Sequence, residues 1–154
     1  MRIRCVQNQS RPGATLVETA LVISVTLMIL FGIFEYGRFV MTKQLMDNAA
    51  REGARWAVAN TYSGTTAQVQ AVVNTKLGPA ANQLVGYSQS TSITVNAADS
   101  SGNTIAGVTW SNVAFGANVS VVITGTYKPI LPTFLFMNST ITLTAKSVMA
   151  SEAN

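Results

Sequence analysis

Residues 14–34, ATLVETALVISVTLMILFGIF, form an apolar run of 21 in which Glu18 is the only charged side chain. As an α-helix rising ~1.5 Å per residue the run is about 31 Å long, matching a bilayer's hydrocarbon core of roughly 30 Å. In water the same helix would have to be wrapped on every side by other apolar surface, and a chain of 154 residues holds too little of it. The run therefore predicts one membrane-spanning helix. Composition agrees, since 10% of the residues are charged where an ordinary soluble domain carries roughly 25%.

Ten Lys and Arg against six Asp and Glu give a net charge of +4. Arg2, Arg4 and Arg11 all precede the span, and without residues 1–13 the balance is seven against six, a net of +1. Nucleic-acid binders keep a basic stripe on the folded domain to release counterions from phosphates. The remainder of this chain has none, so no nucleic-acid partner is expected. The three arginines instead orient the span, holding the N-terminus on the cytoplasmic side and sending the rest across.

An ordinary secretory signal has an apolar region of about 7–15 residues followed at once by an A-x-A-like cleavage site. Here the run is longer, and Ala57-Val58-Ala59 lies beyond Glu35, Arg38, Lys43, Asp47, Arg51, Glu52 and Arg55. The single Cys, Cys5, precedes the apolar run, where a lipoprotein's acylated Cys would follow it. At the head of the run stands Arg11-Pro12-Gly13-Ala14-Thr15-Leu16-Val17-Glu18: a short basic leader ending in Gly, with a carboxylate at the fifth residue after it. This arrangement resembles the type IV prepilin signal. The resemblance implies cleavage by a prepilin peptidase between Gly13 and Ala14, which leaves the helix on the product and the mature protein anchored.

Glu18 has two readings. A carboxylate in the first turn of a helix is favoured by the dipole and partly solvated among headgroups. Alternatively it meets the new α-amino group of Ala14 on a neighbouring subunit, a pairing that counts within an apolar bundle. An ionisable group inside a span is functional by default, and the leader and span around it favour the second reading.

From Glu35 to Asn60 the sequence EYGRFVMTKQLMDNAAREGARWAVAN keeps helix formers without Pro. Tyr36, Phe39, Val40, Met46, Ala50, Ala54 and Ala57 recur at three- and four-residue steps and predict one apolar face. Lys43, Asp47, Arg51 and Arg55 predict a solvated opposite face, and Gly32, Gly37 and Gly53 are expected to soften the helix locally. The order of motifs here is more specific than any one of them: Gly13-Ala14, Val17-Glu18, Phe31-Gly32, Glu35, Gly37-Arg38 and Ala49-Ala50-Arg51-Glu52-Gly53-Ala54-Arg55. Together they resemble the TadE-like family of minor pilin-like proteins of the tight-adherence (Tad/Flp) pilus and secretion machinery. Thr126-Tyr127-Lys128-Pro129, leading into Thr140–Met149, is similar to the family's C-terminal region. Ser24 stands where members often have Pro. The resemblance implies a minor pilin in the bacterial inner membrane, incorporated in the pilus or aiding its assembly. The partners it implies are other pilin and minor pilin subunits, the prepilin peptidase and the inner-membrane assembly platform. The alternative is a single-pass, membrane-tethered extracytoplasmic binding domain that never enters a filament.

Beyond residue 60 the texture turns to Thr, Ser, Asn, Val and Gly. Thr66–Leu77 places Val69, Val72, Val73 and Leu77 on one face of a short helix ended by Gly78-Pro79. Ser92–Ala97 alternates, Asp99–Asn103 supplies a turn, and Asn118–Tyr127 and Ser139–Ala150 are β-type runs, the last with Ile141, Leu143 and Ala145 inward. The expected fold is α+β, a small antiparallel sheet of three or four strands packed on a helix. The expected organisation is a leader over 1–13, a span over 14–34, an amphipathic helical extension over 35–60 and an extracytoplasmic domain over 61–154. The apolar segment PILPTFLFM either folds over the sheet edge or offers Ile130, Leu131, Phe134, Leu135 and Phe136 to a partner or the membrane.

The inventory argues against catalysis. There is no His and one Cys, which removes His-bearing triads, His-based metal sites and intrachain disulfides. After residue 60 the only acids are Asp99 and Glu152, and the only bases Lys76, Lys128 and Lys146. A paired-carboxylate mechanism would need both acids side by side, and no glycine cluster forms a phosphate loop. Neither an enzyme nor a cofactor is expected.

Overall fold

The computed structural model describes residues 12–130, 132 and 138–152. Its dominant element is one unbroken helix, α1, Pro12–Ala59, of 48 residues, about 72 Å long at ~1.5 Å per residue. Proline is tolerated at a first helical position because its missing N–H would have had no partner there. The next proline in the chain is Pro79, so nothing in the sequence breaks the hydrogen-bond ladder between them.

The two halves of α1 meet different surroundings. In the N-terminal half the most apolar window has a mean hydropathy of 2.3 and none of it is buried. Leu16, Leu21, Ile29 and Phe34 are all exposed. Such a surface is out of place in water and suited to lipid, where polar groups must be satisfied within the helix. The hydroxyls of Thr19, Ser24 and Thr26 comply, donating to the carbonyls of Thr15, Ala20 and Val22 at 2.7–2.8 Å.

The C-terminal half carries the folded domain. Its buried stripe is Glu35, Thr42, Met46, Ala49, Ala50, Ala54, Ala57 and Val58. Of the expected face, Met46, Ala50, Ala54 and Ala57 are buried and Phe39 and Val40 half-buried, Phe39 against the core. Tyr36 departs from it at 69% exposed, and the carboxylate of Glu35 takes the inward position instead. The small residues let neighbouring elements approach closely. Gly53 lies against α2, Thr66–Leu77, so tightly that a Cβ there would overlap Val73 Cγ2. Gly53 therefore acts through close packing, while α1 runs on through Gly32, Gly37 and Gly53 without a break.

A capping box starts α2, with the Thr65 side chain accepting from the Gln68 amide and the Gln68 side chain accepting from the Thr65 amide. Val69, Val73 and Leu77 are buried and Val72 half-buried. Gly78, at φ +51°, ends the helix, and a 3-10 turn over Gly78–Gln83 follows. The sheet is antiparallel, with strands β1 Leu84–Val85, β2 Ile93–Ala98, β3 Asn118–Tyr127 and β4 Ile141–Ala150. One turn of helix, Gln89–Ser92, precedes β2. Strand β3 is central. It pairs with β4 from Asn118↔Ala150 to Tyr127↔Ile141, and its other edge is shared by β2, Ile93↔Ile123 to Ala98↔Asn118, and β1, Leu84↔Tyr127. Val119, Val121 and Ile123 on β3 and Leu143 and Ala145 on β4 join the buried faces of α1 and α2 in one core. Ile141 is half-buried, at the margin of that core.

Trp110 is buried and donates its indole N–H to Thr66 Oγ1 at 2.9 Å. At the far end of the domain, Thr61 Oγ1 lies 3.1 Å from Ser151 Oγ, and the Glu152 amide donates to the Val58 carbonyl at 3.3 Å. The end of β4 is thereby fastened to the end of α1.

Candidate functional site: the junction of the membrane helix and the domain

One residue beyond the apolar run, Glu35 points inward and is 6% exposed. Its Oε1 accepts the Tyr127 hydroxyl at 2.5 Å and Arg38 Nη2 at 3.0 Å, and its Oε2 accepts the Ile130 amide at 3.3 Å. Arg38, one turn on, donates from Nε to the Tyr127 oxygen at 2.8 Å and from Nη2 to the Lys128 carbonyl at 3.0 Å. The Tyr127 ring is fully buried and meets Phe39 edge-to-face at 5.6 Å between centroids. Four residues along α1, Thr42 Oγ1 lies 2.9 Å from the Arg38 carbonyl and 2.8 Å from Gln83 Oε1. Among the described residues no buried side-chain nitrogen or oxygen lacks a partner.

The cluster is a closed polar knot at the sheet's end. The i,i+3 spacing on α1 sets Glu35 and Arg38 on one face, and the last residue of β3 inserts its phenol between them. Burial alone would push the Glu35 carboxyl up. The hydrogen bonds from Tyr127, Ile130 and Arg38, with the Arg38 charge, outweigh it and hold the group below the usual carboxylate range. The Tyr127 hydroxyl is pushed up to about 12, first by burial and then by its bond to Glu35, against the opposing pull of Arg38. The knot therefore holds a carboxylate, a guanidinium and a neutral phenol. Its buried polar side-chain atoms all have partners within the protein, so its chemical work is to fix where the domain stands on the helix.

Of the residues singled out from sequence, Ile130 touches this junction and Gly13, Ala14 and Glu18 lie elsewhere. The Gly13–Ala14 bond lies in the first turn of α1, where backbone N–H groups have no intrahelical partner; among the described residues a Cβ added at Gly13 would meet open space. Glu18 is exposed on the apolar half, one turn further on. Glu35 follows some 25 Å along the helix at ~1.5 Å per residue. Ile130 is 66% exposed and belongs to the junction through its amide; Leu131, Phe134, Leu135 and Phe136 lie outside the described residues. Glu18 and Ile130 thus mark separate places, the exposed apolar half of the helix and the near end of the domain. Sequence reasoning named Glu35, Arg38 and Tyr127 only as carriers of a resemblance. The signal that could have joined them is chemical: one carboxylate just past an apolar run, and one tyrosine at the close of a β-type run.

On the helix's solvated side, Lys43 Nζ pairs with Asp47 at 2.7 Å and also reaches the Thr144 carbonyl at 2.8 Å. Glu52 lies 3.9 Å from Lys76. Asp99 shapes its turn by accepting the Asn103 amide at 2.7 Å.

No curated protein and no solved structure matches the chain. A family model does: that of TadE-like protein, over residues 13–55. The match starts at Gly13, runs through the apolar half of α1 and the Glu35–Arg38 pair, and ends at Arg55. Over this stretch the chain is similar to the TadE-like family, and α1, the one helix among the described residues long and apolar enough to cross a bilayer, fits a membrane-anchored protein of the Tad pilus system.

Proposed function

We propose that the protein is a minor pilin-like subunit, cut by a prepilin peptidase between Gly13 and Ala14, that takes part in assembling a Tad-type pilus or its secretion apparatus. The observation carrying this reading is where the family match begins. It opens at Gly13 and so leaves out the basic leader while including the apolar helix and Glu18. A simple anchor has no need of a glycine at that boundary or of a carboxylate five residues after it. In this reading the N-terminus faces the cytoplasm, the domain lies outside the inner membrane, and the exposed apolar half of α1 packs first against lipid and then against other pilin helices. The assembly platform and neighbouring subunits are the partners, and the domain contributes surface and no catalysis.

Glu18 would neutralise the amine of Ala14 on a neighbouring subunit. Breaking a buried pair of this kind costs about 3–5 kcal/mol, a several-hundredfold or larger loss in association. The test is Glu18→Gln in the native cell, with the mature N-terminus sequenced. The substituted protein should begin at Ala14, accumulate in the membrane and disappear from sheared filaments and from complexes with pilin subunits. Normal recovery with Gln at position 18, or a mature protein still carrying its leader, would remove the basis for preferring a pilin to a tethered domain.

A further inference from the structure

The near end of the domain is apolar where a water-facing surface would be polar. A cleft of about 420 Å³ opens between Gly32, Tyr36 and Phe39 of α1 and Ile141, the first residue of β4, and its lining is almost wholly apolar. That volume falls in the ~300–1,000 Å³ range of sites that take small apolar ligands. Tyr36 and Phe34 are each 69% exposed, and Ile130, whose amide bonds Glu35 between them in sequence, is 66% exposed. Gly32 belongs to the apolar run itself. Because Ile141 lines the same cleft, the sheet reaches down to the last turn of the span. From Gly32 to Phe39 the helix rises about 10 Å. A bilayer's polar region is ~5–7 Å deep on each side, so the cleft runs from the edge of the hydrocarbon outward through the headgroups. Lys128 is exposed, next in sequence to Tyr127, which packs against Phe39. A lysine stem can lie on such a surface with its ammonium at phosphate level, and Tyr36 suits the interfacial aromatic belt.

We propose that the domain sits directly on the outer face of the bilayer and that this cleft takes a phospholipid acyl chain, with Lys128 against the lipid phosphates. The proposal rests on the reading of residues 14–34 as the span. The lipid is favoured over a protein occupant because the cleft is continuous with the lipid-facing side of α1, sharing Gly32 with it.

The test is site-directed spin labelling of the full chain in phosphatidylglycerol-containing vesicles at high lipid excess. Cys5→Ser supplies the background, and single cysteines replace Leu21, Ile130, Ile141 and Ser101. Collisions with lipid-soluble oxygen and with an aqueous nickel chelate are compared at each site. Oxygen should dominate at Leu21, Ile130 and Ile141 and nickel at Ser101, giving an oxygen-to-nickel ratio several-fold higher at Ile130 than at Ser101. Ile130 is exposed, so its replacement leaves the core intact even if the Ile141 variant folds poorly. Nickel-dominated collisions at Ile130 with oxygen-dominated ones at Leu21 would overturn the proposal and leave the span standing. Shielding of Ile130 from both reagents would overturn it in favour of a protein occupant, such as a second copy. Nickel dominance at Leu21 would remove the span and the proposal together.

Discussion

Replacing Tyr127 by Phe deletes one oxygen and keeps the ring, its burial and its edge-to-face contact with Phe39. Two hydrogen bonds go, the one donated to Glu35 Oε1 at 2.5 Å and the one accepted from Arg38 Nε at 2.8 Å. A hydrogen bond to a charged group contributes about 1.5–3 kcal/mol, and leaving its partner buried and unsatisfied costs a further ~1–3 kcal/mol. Part of this is recovered, because Arg38 Nη2 still reaches Glu35 and the Lys128 carbonyl. The net loss should be about 2–3 kcal/mol, below the sum of the separate charges because the members of such a network are not independent. At roughly 3–6 °C per kcal/mol for a domain of this size, the melting temperature should fall by about 6–18 °C. The assay is thermal unfolding of the detergent-solubilised protein followed by near-ultraviolet circular dichroism, which reads aromatic packing rather than helix content. A double-mutant cycle with Glu35→Gln should return a coupling of about 1–3 kcal/mol. A fall of less than ~3 °C for Tyr127→Phe, or additive effects in the cycle, would refute the assignment of the knot as the joint between helix and domain.

Glu35 is held below its ordinary range, so its contribution to stability is present above the unfolded carboxyl value and is lost as pH falls through the lower folded one. Tyr127 is raised to about 12, so its contribution is present below the unfolded value of about 10 and is lost as pH rises from there toward 12. The alkaline loss should vanish in Tyr127→Phe when the melting temperature is scanned against pH. Two glycine substitutions should act with opposite signs in the same unfolding assay. Gly53→Ala drives a methyl into Val73 and should destabilise by about 1–3 kcal/mol, whereas Gly37→Ala meets open space and should stabilise by about 0.5–1 kcal/mol. A cysteine at Ser101, exposed in the Asp99–Asn103 turn, should react with an impermeant thiol reagent in intact spheroplasts; labelling only after lysis would reverse the orientation.

The elements legible in the sequence are those with a local cause. The apolar run, the Val69–Val73–Leu77 stripe, the Gly78-Pro79 stop and the alternation in β3 and β4 each rest on neighbours within a few residues, and α1, α2 and the long strands stand where those patterns put them. Strand β1 is two residues long, too short for alternation to register, and exists because Leu84 and Val85 meet the end of β3. The inward position of Glu35 in place of Tyr36 escaped for a related reason. A three- and four-residue count favours Tyr36 as the buried side chain, and only a phenol and a guanidinium in reach make a carboxylate the better choice. Tyr127 lies 92 residues from Glu35, and no local pattern links them. Trp110 likewise finds its hydrogen-bond partner in Thr66, 44 residues away. For Gly13 and Glu18 the spacing was legible, and the structure leaves both exposed on α1.

The domain grips α1 at two levels, through Glu35 at one end and through Val58 at the other, some 35 Å apart at ~1.5 Å per residue. A single attachment would let the domain swivel about the helix axis; two such attachments, with the sheet between them, make a splint. Between them and the N-terminus the helix has no internal proline, so it has no hinge of the usual kind. A tug on the domain is then delivered to residues 14–34 as axial pull and torque with little slack. Force on either end would therefore move helix and domain together, as one lever.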